Sequence, residues 1–153
     1  MKNMDKKPYF YIAGPFFNTE QTMTIETIKS ILDYNKVEYF SPKDECMYKE
    51  GETTPEEVLE INIMGLSRTD VCICVTDGKD PGTMFEAGLC YAKDIPIIYI
   101  WLGGLPGQKF NLVLAASGSV VRNMEQLDRA VKEIKDLGVF IQRNWSEEKM
   151  IYE

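Results

Sequence analysis

Val71-Cys72-Ile73-Cys74-Val75-Thr76-Asp77-Gly78-Lys79-Asp80-Pro81-Gly82-Thr83-Met84-Phe85-Glu86-Ala87-Gly88 is the stretch on which both the fold and the chemistry depend. Its first five residues read as a short apolar strand. Pro81-Gly82 marks a turn, and a helix is expected from Thr83 to Lys93. In an open α/β sheet, ligands bind in the crevice beyond the carboxyl ends of the strands. The loop and the first helical turn would carry two carboxylates, Asp80 and Glu86, into that crevice. A carboxylate in a first turn faces the positive end of the helix dipole, which favours its ionised form. An ionised carboxylate beside a protonatable one is the pairing that cleaves glycosidic bonds.

The pattern extends in both directions. Tyr9-Phe10-Tyr11-Ile12-Ala13 reads as a buried first strand ended by Gly14-Pro15. Asn18 or Thr19 caps a helix reaching about Tyr34, with Met23, Ile28, Ile31 and Leu32 on its apolar face. Val37 to Phe40 is a second strand, and Ser41 to Thr53 a long polar loop of the kind that often carries function. Thr54-Pro55-Glu56-Glu57 is a capping box with proline at the first helical position. Ile95 to Trp101 is a nearly continuous apolar strand, as a central parallel strand requires. Gly103 to Phe110 is a loop, Asn111 to Ala116 a short helix and Ser119 to Val121 a last strand. Asn123 caps a helix from Met124 to about Leu137. Gly138 to Glu153 carries no clear pattern. The strict alternation of strand and helix predicts an α/β fold. It is a single-domain, five-stranded, parallel, doubly wound sheet, flavodoxin-like or Rossmann-like, with helices on both faces over 1–153.

Composition narrows the function. The 153 residues carry a net charge of −7, which disfavours a nucleic-acid polymer or an anionic membrane as the partner. There is no histidine, so the Ser-His-Asp and Cys-His mechanisms and the usual zinc sites are absent. Acid–base work must fall to Asp, Glu, Tyr or Lys. Cys46, Cys72, Cys74 and Cys90 lack a zinc-ligand spacing and read as free thiols in a reducing compartment. No long apolar run is present, and a soluble cytoplasmic protein is expected.

Individual residues stand out at the strand ends. Ala13-Gly14-Pro15-Phe16-Phe17-Asn18 is not a dinucleotide-binding G-x-G-x-x-G loop. Its aromatic pair suits a flat heterocycle, or else covers the core. Tyr11 is a strand tyrosine whose hydroxyl needs a partner when buried, and a carboxylate at the neighbouring strand end would supply one. Asn62 lies inside a helix, where asparagine is not favoured. Asn111 opens a helix after a glycine-rich loop and reads as an N-cap or a ligand contact. Lys43-Asp44-Glu45 is a solvated turn or a pocket rim.

Four segments, in order, resemble the nucleoside 2-deoxyribosyltransferase family: Phe10-Tyr11-Ile12-Ala13-Gly14-Pro15-Phe16; Asn62-Ile63-Met64-Gly65-Leu66 with Thr69-Asp70; the D-x-G-x-x-x-E-x-G run from Asp80 to Gly88; and Phe110-Asn111-Leu112-Val113-Leu114. The resemblance implies a catalytic set of Glu86 as nucleophile on the anomeric carbon, Tyr11 holding that carboxylate, and Asp80 as the acid that protonates the leaving base. It implies a substrate-binding set of Gly14, Phe16, Asp44, Asn62, Gly82 and Asn111. Asn62 stands where several relatives carry aspartate, and the 41–53 loop differs from theirs. The resemblance further implies nucleotide salvage by base exchange on 2′-deoxyribonucleosides, through a covalent intermediate and with retention. The substrates are nucleosides and free bases, and no cofactor or metal is needed. A homo-oligomer is implied, dimer-based, with a hexamer as its larger form, in which Asn111 completes a neighbouring site. A C-terminal tyrosine reaches the site in some relatives, and Tyr152 is the residue here. Two alternatives stay open. One is a nucleoside 5′-monophosphate N-glycosidase, for which Ser117-Gly118-Ser119 would serve the phosphate. The other is a non-catalytic nucleotide-sensing domain on the same sheet.

Overall fold

A computed structural model describes residues 2–3 and 7–153. The elements in chain order are β1 (Lys2–Asn3), β2 (Tyr9–Ala13), α1 (Thr19–Tyr34), β3 (Glu38–Phe40), α2 (Pro42–Glu45), α3 (Pro55–Ser67), β4 (Val71–Val75) and α4 (Pro81–Ala92). They continue with β5 (Ile97–Ile100), β6 (Lys109–Phe110), α5 (Leu112–Ser117), β7 (Ser119–Val121), α6 (Met124–Leu137), β8 (Val139–Phe140) and β9 (Ile151–Tyr152). Five strands form one sheet in the order β3-β2-β4-β5-β7, and every pairing within it is parallel. This is the flavodoxin-like strand order. The chain leaves β2 toward one edge and returns to build the other half from β4. The crevice between the carboxyl ends of β2 and β4 is therefore the topological switch point.

Local chemistry explains the helix boundaries. Asn18 accepts from the Gln21 amide at 2.8 Å and starts α1. The predicted capping box at α3 is present, with Thr54 and Glu57 bonded reciprocally at 3.1 and 2.9 Å. Asn123 starts α6 in the same way. Gly138, at φ 66°, ends that helix in the left-handed conformation that favours glycine.

Period-two alternation in the strands divides the core between the two faces of the sheet. Phe10 and Ile12 pack with Ile25, Ile28 and Leu32 of α1 and Leu127, Val131 and Ile134 of α6. Tyr11 and Ala13 face the other way, with Cys72, Cys74, Leu66, Ala87 and Cys90. One sequence register thus sends Tyr11 toward α3 and α4.

Three expectations are corrected. The loop from Ser41 holds a short helix, α2, begun by Pro42 at its first position. Helix α4 starts at Pro81 rather than Thr83, because Asp80 caps it by accepting from the Thr83 amide at 2.8 Å. The unpatterned tail is ordered by pairing with distant chain. There β8 joins β1, β9 joins β6, and Asn144 bridges Val120.

One close approach supports the site from behind. A Cβ on Gly65 would lie 2.7 Å from the Phe40 ring, and that ring stacks on Tyr11 with centroids 5.2 Å apart. Gly65→Ala would gain helix propensity of ~1 kcal/mol. Pushing a buried aromatic stack costs ~1–3 kcal/mol. Thermal unfolding should show a lower midpoint for Gly65→Ala; an unchanged or higher midpoint would mean the stack yields freely.

Candidate active site

Tyr11, Glu86 and Asp80 meet at the switch point. Tyr11 is fully buried in β2, aligned with Cys72 of β4. Its hydroxyl donates to Glu86 Oε2. Glu86 lies on α4, five residues past Pro81, and is half-buried. It therefore occupies the second helical turn, not the first, and no acidic residue occupies the first turn. The dipole expectation transfers from Glu86 to Asp80. Asp80 Oδ2 accepts from the Thr83 amide and from Thr83 Oγ1, each at 2.8 Å. Neither contact uses Oδ1.

Burial decides the protonation of Glu86. Desolvation pushes its carboxyl up to about 7, the Tyr11 hydrogen bond pulls it down, and the Asp80 charge pushes it up. The carboxyl is poised to change charge near neutrality. Burial, and then the adjacent Glu86 charge, hold the Tyr11 phenol far above its ordinary value, so it remains a hydrogen-bond donor. Behind the pair, a hydrogen bond to Cys90 together with burial pushes the Cys72 thiol up. Burial pushes Cys74 up as well. These thiols pack against the pair as neutral groups. Removing the Tyr11 hydroxyl takes away the one contact that lowers Glu86. Tyr11→Phe should therefore move the Glu86 titration above 7, followed by carboxyl-carbon NMR; a midpoint at or below the wild-type value would contradict this electrostatic account.

The remaining predicted residues are placed unevenly. A Cβ on Gly14 would lie 2.9 Å from Ile25 and 3.1 Å from Val75, so glycine lets the β2 loop close onto α1 and β4. Phe16 packs against the α1–α6 core. Phe17, stacked on it at 5.9 Å, is 78% exposed and is the ring free to meet a ligand. Gly82 stands in the first turn of α4, where a Cβ would lie 3.3 Å from Asp80 Oδ2. Asp44 is not directed to the crevice by any contact; its carboxylate pairs with Lys29 of α1 at 2.8 Å. Asn62 keeps a buried Oδ1 with no hydrogen-bond partner. It sits one turn before Gly65, whose Cα faces Phe40, and so shares that inward face. Asn111 caps α5, its Oδ1 accepting from Val113 and Leu114 at 3.0 and 3.1 Å.

Phe40 and Gly65 are the supporting residues that motif reading missed as a pair. Their signal was an aromatic at a strand end and a small residue inside a helix, and neither has meaning until the helix lies on the strand. Ser117 and Ser119 are engaged elsewhere. The first shares a hydrogen bond with Tyr99 at 2.7 Å, and the second accepts from the Arg143 amide at 3.0 Å. That removes the support they lent to phosphate binding. Among the described residues no group of three or more His, Cys, Asp or Glu side chains is placed to hold a metal ion, and no helix is long and apolar enough to cross a membrane.

The family model for nucleoside 2-deoxyribosyltransferase matches residues 10–112. No curated protein matches the chain. A conserved protein from Enterococcus faecalis V583 is similar in structure, with a TM-score of 0.72 and 18% identity, over 84% of this chain and 99% of that one. The 2-deoxyribosyltransferase from the psychrotolerant bacterium Bacillus psychrosaccharolyticus gives a TM-score of 0.65 and 21% identity, over 78% of this chain and 90% of that one. The 2-desoxiribosyltransferase from Leishmania mexicana gives 0.52 and 19%, over 72% of each chain. At these identities the structural likeness speaks for the fold.

Proposed function

The chain belongs to the nucleoside 2-deoxyribosyltransferase family, and from that premise we propose that it exchanges the base of a 2′-deoxyribonucleoside for another purine or pyrimidine. The observation that carries the reading is the Tyr11–Glu86 hydrogen bond beside Asp80. It supplies a half-buried carboxylate held in one orientation and a second carboxylate next to it.

In this reading ionised Glu86 attacks C1′ of the sugar while the bond from C1′ to the base nitrogen breaks. The bonding pair leaves with the base, and Asp80 delivers the proton that neutralises it. The product is a 2-deoxyribosyl ester of Glu86 and a free base. A second base then attacks C1′ through its nitrogen, Glu86 leaves as carboxylate, and the nitrogen's proton returns to Asp80. Two displacements give net retention and ping-pong kinetics. Tyr11 keeps one oxygen of Glu86 hydrogen-bonded so that the other faces the sugar. Phe17, with Phe16 behind it, offers a ring face for the heterocycle, and the unpartnered Asn62 oxygen offers a polar contact.

A homo-oligomer accords with the surface. Phe85, Tyr91, Leu112 and Val113 are large apolar side chains left exposed on α4 and α5. Tyr91, Leu112 and Val113 line a groove of about 410 Å³ together with Met84, Tyr99 and Leu114. Exposed apolar area of this kind marks an interface, and Asn111 sits at its edge, where it would reach a neighbouring site.

The test is chromatography of the protein with thymidine and adenine, and separately with deoxyinosine and adenine. Deoxyadenosine should form in at least one mixture. Failure of both, with base released from a deoxynucleoside monophosphate, would establish the hydrolase instead.

A further inference from the structure

A cavity of about 430 Å³ opens between the loop after β4 and the segment joining β5 to α5. Its apolar wall is Trp101, Phe110, Met84 and Leu114. It is not the crevice of the carboxylate pair. Tyr11, Asp80 and Glu86 do not line it; Asn111 does, with its Oδ1 already accepting from the Val113 and Leu114 amides. Met84 and Glu86 are two residues apart on α4, a spacing that points side chains to different sides of a helix.

The walls are fixed in advance. The Arg122 guanidinium lies 4.2 Å from the Trp101 ring centroid and donates to the Trp101 and Gly104 carbonyls at 3.1 and 2.8 Å. Asp77 accepts from the Leu102 and Gly103 amides at 2.9 and 2.7 Å, so its carboxylate is occupied and ties the two loops together. Trp101 and Phe110 rings are 5.0 Å apart. A preformed apolar cavity of this size with a few convergent polar groups is the usual form of a small-molecule site.

The rim specifies the ligand. Lys79 and Lys109 both line the cavity, and neither appears in any ion pair of the described residues. Left-handed backbone at Gly78 and Lys79, φ 87° and 49°, turns the chain at this rim. Glu153 is the opposing charge there, an acceptor for ring-borne N–H donors. Two unpaired ammonium groups, an apolar wall and two carboxylates, of which Asp77 is held by the Leu102 and Gly103 amides and Glu153 is open, complement a flat amine-bearing ring that carries an anion. We propose that this cavity is a second, non-reacting site that binds a nucleoside 5′-monophosphate, with Lys79 and Lys109 on the phosphate and Glu153 on the base. The site lies beyond the reaction assigned above, and Lys79 at its rim precedes Asp80 in the chain.

The test is calorimetric titration of the full chain carrying Glu86→Gln, to prevent turnover, with deoxyadenosine 5′-monophosphate in the presence of saturating thymidine. One equivalent should bind, deoxyadenosine should bind about tenfold more weakly or worse, and Lys79→Ala with Lys109→Ala should weaken the monophosphate by about tenfold or more. Both lysines are exposed, so the double variant should fold, and its circular dichroism melt checks this. No binding, displacement of the monophosphate by thymidine, or equal affinity in the double variant would each overturn the proposal. If the chain binds no thymidine, the lysine dependence still decides this proposal, and base exchange is decided separately by the chromatography of both mixtures.

Discussion

Glu86→Gln should abolish base exchange and at the same time make the protein more stable at pH 8. The loss follows from the proposed role: an amide cannot displace a base or form the ester, and removal of a nucleophile lowers kcat by ~10³-fold or more. The gain follows from burial. Glu86 titrates near 4.5 when unfolded and at about 7 in the folded protein. Between these values the native state keeps a proton that the unfolded chain has released, so stability falls as pH rises through that window and stays reduced above it. A shift of this size corresponds to a penalty on the order of 3 kcal/mol, and glutamine does not incur it. Denaturant unfolding of both proteins at pH 4 and pH 8 should show Glu86→Gln gaining on the wild type at the higher pH. Equal gains at the two values would mean that Glu86 is not held in its neutral form by the fold. The same titration sets the activity profile. The nucleophile must be ionised, so the acid limb of kcat/KM should rise through about pH 7.

Asp80→Asn should slow the reaction by ~10²–10⁴-fold, the usual range for losing a positioned proton donor, with little change in stability. Asparagine caps helices as well as aspartate does, and its amide oxygen can still accept from the Thr83 amide that Asp80 holds at 2.8 Å. Asp80→Ala removes the cap as well and should cost ~1 kcal/mol in addition. The Asn variant should carry a second signature. The Asp80 charge is one of the forces that raise Glu86, so the acid limb of the pH profile should move below 7. The slowing should be largest for bases that are poor leaving groups without a proton. A variant with undiminished kcat on such bases would remove Asp80 from the proton-transfer role and leave it as a cap.

These two carboxylates show how far motif reading reached. The strand Val71–Val75 is a local feature and stands where it was expected, whereas Pro81-Gly82, read as a turn, opens α4. The capping residues Asn18, Thr54 and Asn123 were legible for the same reason: a cap is a contact within four residues. The position of Glu86 within its helix was misread. Local spacing suggested a first-turn carboxylate ionised by the dipole, whereas Asp80 is the cap and Glu86 sits a turn further on, where burial raises it. Asn111 was read as an N-cap or a ligand contact, and the cap is formed; Asp44, read as part of a solvated turn or a pocket rim, pairs with Lys29. The tail was illegible because its short strands pair only with chain far away in sequence.

By itself the sequence determined the succession of strands and helices and the parallel doubly wound sheet, since periodicity, caps and turns are settled among near neighbours. Tertiary structure alone decided that Tyr11 meets Glu86 across 75 residues, that Phe40 and Gly65 brace the pair, and that the carboxyl titrates near neutrality. Those outcomes depend on strand register and on how much water is excluded, and both exist only once the helices have closed over the sheet.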